Sequence, residues 1–186
     1  MNNVTIHLFI FLLIISTGLN AQTVKDIDGN IYPTIIKDSN TWMAENLKTT
    51  RLNDGTAIPL IEDSRIWKTL TQPAYCWLYN DETRNQDIGI LYNWYAVETG
   101  KLCPDGWHVP SDKIYLEEAP WPGGERSSEG WFLLLVNFTS YWTSTEESLE
   151  TAYVTQVQYD GSTVNRGYTF KNSGRLVRCV KDKNQD

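Results

Sequence analysis

The chain has 186 residues and a formal net charge of −7, from 16 Lys and Arg against 23 Asp and Glu. An acidic balance of this size argues against a phosphate-backbone partner, which needs a basic patch, so no nucleic acid is expected. Trp 8, Tyr 10 and Phe 5 beside Met 2 make an aromatic-heavy composition. It suits a β-rich domain with a small core, and equally a surface on which pyranose rings stack.

Residues 1–21 carry an apolar run, Leu8 to Ile15, and end in small and polar residues up to Ala21. The run is too short to span a bilayer and Ala21 supplies a small residue for cleavage, so a signal peptide is expected, with the membrane met only through it during export. The segment lacks Lys and Arg, which leaves the N-terminal amine and His7 as its positive charge. No cysteine follows the run, so no lipid anchor is expected. About 165 residues remain, which suits one domain, 22–186, with a single core.

Val24 to Ile36 alternates apolar and polar residues around Asp28-Gly29-Asn30, a hairpin signal because the turn needs residues that tolerate positive φ. The spacing of Asp26, Asp28 and Asn30 resembles the start of a calcium loop. Gly29 stands too early for that loop, however, and Lys37 fills the twelfth position where an acid is required, so no metal is expected. Trp42 to Leu47 reads as a strand end turning over the core, with Asn46 placed to satisfy buried backbone groups. Ile61 to Gln72 is polar and variable-looking. Ala74 to Tyr79 has strand propensity, and Asn80 to Asp87 has the composition of a surface loop.

From Ile90, the positions of Leu91, Trp94 and Tyr95, with Gly100 as a stop, predict a helix of about two turns. Ser111 stands as the cap of a second helix, but Asp112 to Gly130 reads as irregular. Trp131 to Phe138 reads as a buried strand and Ser140 to Glu146 as another. Ala152 to Phe170 reads as two alternating strands around Asp160-Gly161. Gly174 to Asp182 reads as a last strand, with Leu176 and either Val177 or Cys179 facing inward. The sum is an α+β chain, mostly antiparallel sheet with one short helix. In an oxidising compartment two of Cys76, Cys103 and Cys179 form one bridge, and the third is buried or pairs between chains.

Six segments in order carry a resemblance: Asp26 to Ile35, Thr41 to Thr50, Gly89 to Val97, Gly100 to Asp112, Tyr141 to Thr145 and Gly174 to Asp182. Together they resemble the Fibrobacter succinogenes major paralogous domain, over nearly the whole chain after the leader. The resemblance implies an exported bacterial domain with a C-type lectin-like fold, similar to formylglycine-generating-enzyme-type domains. It also implies a bridge between Cys103 and Cys179, worth roughly 4 kcal/mol in the chain-entropy model. Cys76 is then a buried small hydrophobe. The family pattern has a second helix and a longer insert after Asp112. Here Pro122 to Arg126 looks like the insert's remnant, and the second helix is shortened or lost.

Catalytic readings find little support. Cys103 and His108 are separated by Pro104 and the Asp105-Gly106 turn, which favour an extended path; His108 reads as a ring beside Trp107 with one nitrogen bonded to backbone. The acids Glu45, Asp105, Asp112, Glu117 and Glu118 are not paired by any pattern in the sequence. No catalytic residue, metal or cofactor is therefore assigned. Loop aromatics, amides and acids are the expected ligand contacts: Trp77, Tyr79, Asn80, Asp81, Trp121, Trp142 and Glu146, with Trp121 foremost because it sits in a Pro-Gly-rich loop. The reading is a secreted or cell-surface, non-catalytic binding module whose partner is a glycan or a surface protein. The alternative is a structural or assembly subunit of a surface complex, recognisable by self-association through an unpaired edge strand, with an enzyme third.

Overall fold

A computed structural model describes residues 22–115, 123–134, 137–160 and 163–183. The expected leader, Trp121, Glu117, Glu118 and Gly161 lie outside the described residues.

Strands β1 (Thr23–Lys25) and β2 (Ile31–Lys37) form the predicted hairpin, with Gly29 at φ +94 in its turn. Asp26 stitches that turn: its carboxylate accepts the Asn30 amide at 2.9 Å, the Asn30 side chain at 2.8 Å and the Tyr32 hydroxyl at 2.6 Å. A two-residue turn follows, Asp38 and Ser39 both in the left-handed region, as tight hairpins require. It leads into β3 (Asn40–Met43), which pairs antiparallel with β2. The Asn46 side chain donates to the Ile88 carbonyl at 2.7 Å, so the expected satisfaction of buried backbone is found. Gly89, at φ +100, packs so closely there that a Cβ would stand 2.8 Å from the Asn46 Cβ.

Helix α1 (Ser64–Trp67) occupies the polar, variable-looking stretch, where no element was expected. Asp63 caps it by accepting the Arg65 amide at 2.8 Å, and Trp67 is fully buried. β4 (Tyr75–Cys76) is the core of the expected strand, and α2 (Glu82–Asn85), capped by Asp81, replaces the expected loop. β5 (Leu91–Tyr92) pairs with β4, so the helix expected from Ile90 starts later, as α3 (Trp94–Glu98). The reason is Asn93, whose side chain accepts the Ala96 amide at 3.2 Å and the Ala74 amide at 3.0 Å. One amide thereby caps the helix and holds the strand before it. Among the described residues, three α-helices of one turn or slightly more thus stand in a chain from which a single one was expected.

β6 (Trp107–His108) follows the turn at Gly106. Residues 111–115 make a turn, with the Ile114 amide donating to the Ser111 carbonyl at 3.1 Å, and no helix starts at Ser111. β7 (Gly124–Arg126) and β8 (Phe132–Leu134) pair with each other as a two-stranded ribbon, and Arg126 of β7 also bridges to Gly174. The stretch expected as a buried strand is therefore largely on the surface: Trp131 is 72% exposed, and Leu133 and Leu134 are exposed as well. β9 (Phe138–Glu146), β10 (Thr151–Gln158) and β11 (Val164–Phe170) form the expected antiparallel meander. β12 (Val180–Lys181) is shorter than expected, because residues 174–176 make only isolated bridges; Leu176, Val177 and Cys179 are all buried.

The sheets are five-stranded in the order β1-β2-β3-β12-β6, three-stranded in the order β11-β10-β9, and two two-stranded ribbons. The architecture is α+β and mostly antiparallel. One core cluster joins Tyr32 and Met43 of the larger sheet to Trp94 and Val97 of α3 and to Trp142 and Val154 of the meander. A second gathers Trp67, Leu78, Leu91, Tyr141 and Leu176. Burying each of the large aromatics contributes about 2 to 3 kcal/mol. The disulfide joins Cys103, ahead of β6, to Cys179, ahead of β12, and Cys76 is free and buried.

Candidate functional site: a polar groove beside Trp77

The β1–β2 turn, residues 48–51 and the segment from Trp77 to Gln86 enclose a groove of about 410 Å³. Its walls are Asp28, Asn30, Lys48, Thr50 and Arg51 on one side, and Trp77, Glu82 and Gln86 on the other. The second wall is made by a reversal of the chain. After Trp77 the backbone enters a 3-10 turn, Leu78–Asn80, in which Tyr79 and Asn80 both take positive φ, 55 and 56. For a tyrosine this costs on the order of 1 kcal/mol. The turn delivers Asp81 to the cap of α2, whose carboxylate accepts the Arg84 amide at 3.2 Å, and the Asn85 side chain locks it by donating to the Leu78 and Asp81 carbonyls. Glu82 and Gln86 are left exposed on the groove side, and neither side chain bonds to another protein group among the described residues.

The facing wall is anchored by Asp28. Its Oδ2 accepts the Thr50 amide at 2.5 Å, the Thr50 hydroxyl at 2.9 Å and the Thr49 hydroxyl at 3.3 Å, while Oδ1 faces the Arg51 Nε at 3.0 Å. Burial raises the Asp28 pKa, but the Thr50 amide and hydroxyl, the Thr49 hydroxyl and Arg51 outweigh it and hold the carboxyl below its ordinary range. Lys48 is set by a 3.4 Å pair with Glu45, and its amide donates to the Tyr32 hydroxyl at 2.9 Å. Tyr75, nearby, has its phenol pushed up by burial and by the charges of Glu82 and Asp28. Amides, carboxylates, a hydroxyl and two cations converge beside an indole, a set suited to a hydroxyl-rich ligand.

Of the expected contact residues, only Trp77 lines this groove, and it is 7% exposed, more core than platform. Tyr79 is exposed but turns to the Phe132 ring, 5.5 Å between centroids. Asn80 donates to the Glu62 carbonyl at 3.2 Å, and Asp81 serves as a helix cap. Trp142 corrects an expectation: it is 1% exposed, faces the core beside Val154, and its Nε1 donates to the Tyr92 carbonyl at 2.8 Å. Glu146 is paired with Lys171. His108 is likewise corrected, being half exposed and bonded through Nδ1 to the Asp182 carboxylate instead of to backbone. Cys103 is in its bridge, and burial first of all pushes the Cys76 thiol up to about 12, so no thiolate is poised for chemistry.

Sequence reasoning missed Asp28, Asn30, Lys48, Thr50, Arg51, Glu82 and Gln86 as a group. The one signal available was the pair Glu82 and Gln86, four apart, behind the Asp81 cap.

The model of the Fibrobacter succinogenes major domain matches residues 38–118, so that segment of the chain is similar to the Fibrobacter succinogenes major domain family. The match takes in the Lys48 to Gln86 part of the groove and Cys103; Asp28, Asn30, the meander and Cys179 lie outside it. Comparison with curated proteins and with solved structures found no match.

Proposed function

We propose that the protein is a non-catalytic binding module, exported to the cell surface or beyond, that holds a glycan in the groove beside Trp77 on a C-type lectin-like scaffold. The observation that supports this reading most directly is the pairing of two unengaged side chains, Glu82 and Gln86, with a facing wall whose Asp28, Thr50 and Arg51 are already fixed by one another. A hydroxyl-rich ligand is met by preset groups on one side and gains hydrogen bonds from free groups on the other. Little ordering cost falls on the first wall.

Isothermal titration of the chain from Gln22 against neutral and acidic oligosaccharides, after a glycan screen with and without chelator, tests the reading. Glycan binding that E82A and Q86A each weaken about tenfold, with unchanged denaturation midpoints, is the expected result. Retention of a protein but no glycan replaces the ligand class, and binding that ignores both substitutions removes the groove from the account.

A further inference from the structure

We infer that the outer edge of β11 is a self-pairing surface, on which a second copy of this chain adds its own β11 antiparallel to form one continuous sheet across two molecules. The inference does not depend on the groove, with which β11 shares no residue.

β11 pairs with β10 along its whole length, Val164↔Val157 to Phe170↔Thr151, and has no strand on its other side among the described residues. The opposite margin of the same sheet is treated differently. There Tyr141 of β9 bridges to Leu176, and the Trp142 amide donates to the Leu176 carbonyl at 3.0 Å, so passing chain covers that edge. The exposed margins of the five-stranded sheet are short, three residues in β1 and two in β6. β11 is seven residues long, and its ladder with β10 runs without a register shift.

Exposed edges are ordinarily blunted by lysine, proline, a bulge or an inward charge. β11 contains no proline, lysine or acid, and its one charge, Arg166, is engaged within the chain: the guanidinium pairs with Asp112 at 2.5 Å and lies 3.6 Å over the Tyr153 ring. Tyr168 and Phe170 on the same strand face are 64% and 51% exposed. Large aromatics are thus presented where a monomer would place gatekeepers.

The strand is also self-complementary. With the two-fold axis at Gly167, all seven residues pair, Val164 opposite Phe170 of the second copy and Arg166 opposite Tyr168 of the second copy. Apolar then meets apolar, and the cation meets an aromatic ring. A two-fold at Arg166 would set like charges directly opposite, which is unfavourable. The full-length register is therefore the favoured one on charge as well as on length, and the contact is isologous, so it closes as a dimer.

Sedimentation of the chain from Gln22 over a range of concentrations tests this, with four variants. The expected result is a mass rising with concentration from one chain to two. Y168K sets a lysine opposite Arg166 twice per dimer and weakens association roughly tenfold, whereas Y168E, which sets a carboxylate there, does not. G167C cross-links to itself under mild oxidation, because the axis brings the two positions within about 5 Å, while T169C, opposite Asn165, does not. A Cβ at Gly167 meets only Val154, at 3.6 Å, and Cys76 kept unreactive to thiol reagents shows that each variant is folded. A single-chain mass at every concentration overturns the inference. So does a dimer indifferent to the sign of the charge at 168, or one in which G167C fails to cross-link.

Discussion

The Arg178 guanidinium donates two hydrogen bonds, 3.2 Å from Nε and 2.8 Å from Nη2, to the single amide oxygen of Asn46, 132 residues earlier in the chain. Both residues are buried, and the guanidinium also lies over the Tyr141 ring at 5.3 Å. Asn46 spends its amide nitrogen on the Ile88 carbonyl, so one side chain ties the strand end after β3, the segment before β5 and the segment before β12. Asn46→Leu removes the acceptor and leaves a buried cation short of partners, at a cost of about 3 kcal/mol. Urea denaturation measures it, and the double variant with Arg178→Met is expected to lose less than Asn46→Leu alone. Equal or greater loss in the double variant would show that the pair acts through packing only.

The bridge and the free thiol make opposite predictions in one experiment. Replacing Cys103 and Cys179 by alanine opens a loop with a sequence separation of 76 and lowers stability by about 4 kcal/mol in the chain-entropy model. Cys76, fully buried, is expected to react with a thiol reagent only at the rate of unfolding, because burial raises its pKa to about 12. Non-reducing peptide mapping of the native protein should find Cys103 joined to Cys179 and Cys76 unmodified. Rapid native labelling of Cys76 would contradict the packing described for β4.

Acid should loosen the groove wall before the rest of the fold. The folded Asp28 carboxyl sits below its ordinary 3.8, so its stabilising effect is complete above about pH 4 and is lost as pH falls through the folded-state value. Asp112, held down first by the Thr145 hydroxyl and then by Arg166, adds in the same direction. Asp28→Asn keeps the shape but loses charge-assisted bonds, costing roughly 2 kcal/mol at neutral pH. Its stability, followed by tryptophan fluorescence in urea, should fall less steeply below pH 4 than that of the parent. Parallel curves would assign the acid response to other carboxylates.

The β1–β2 hairpin and the β10–β11 meander were legible because alternation and an Asp-Gly turn are local signals, carried by residues adjacent in sequence. The bridge was legible only through the family resemblance, since three cysteines allow three pairings. Helices α1 and α2 were not, because one turn is too short to show periodicity; their sole local marks are the aspartates at 63 and 81, and Asp, unlike a 3.6-residue pattern, is as common in loops. Trp131 to Leu134 misled because an apolar run states affinity for a core without stating that one is available. β8 pairs with β7 alone and stays at the surface. The groove escaped for a different reason. Its walls come from residues 28–30, 48–51 and 77–86, which β-pairing and the left-handed turn at Tyr79 and Asn80 bring together.

Val180 and Lys181 fill the gap between β3 and β6, strands made some 140 and some 70 residues earlier. A ribosome therefore releases almost every described element before the piece that unites the larger sheet, and Cys103 waits equally long for Cys179. Residues 179–181 both close the bridge to Cys103 and seat the strand between β3 and β6, so the covalent and the hydrogen-bonded closure of this region are set by one short stretch of chain.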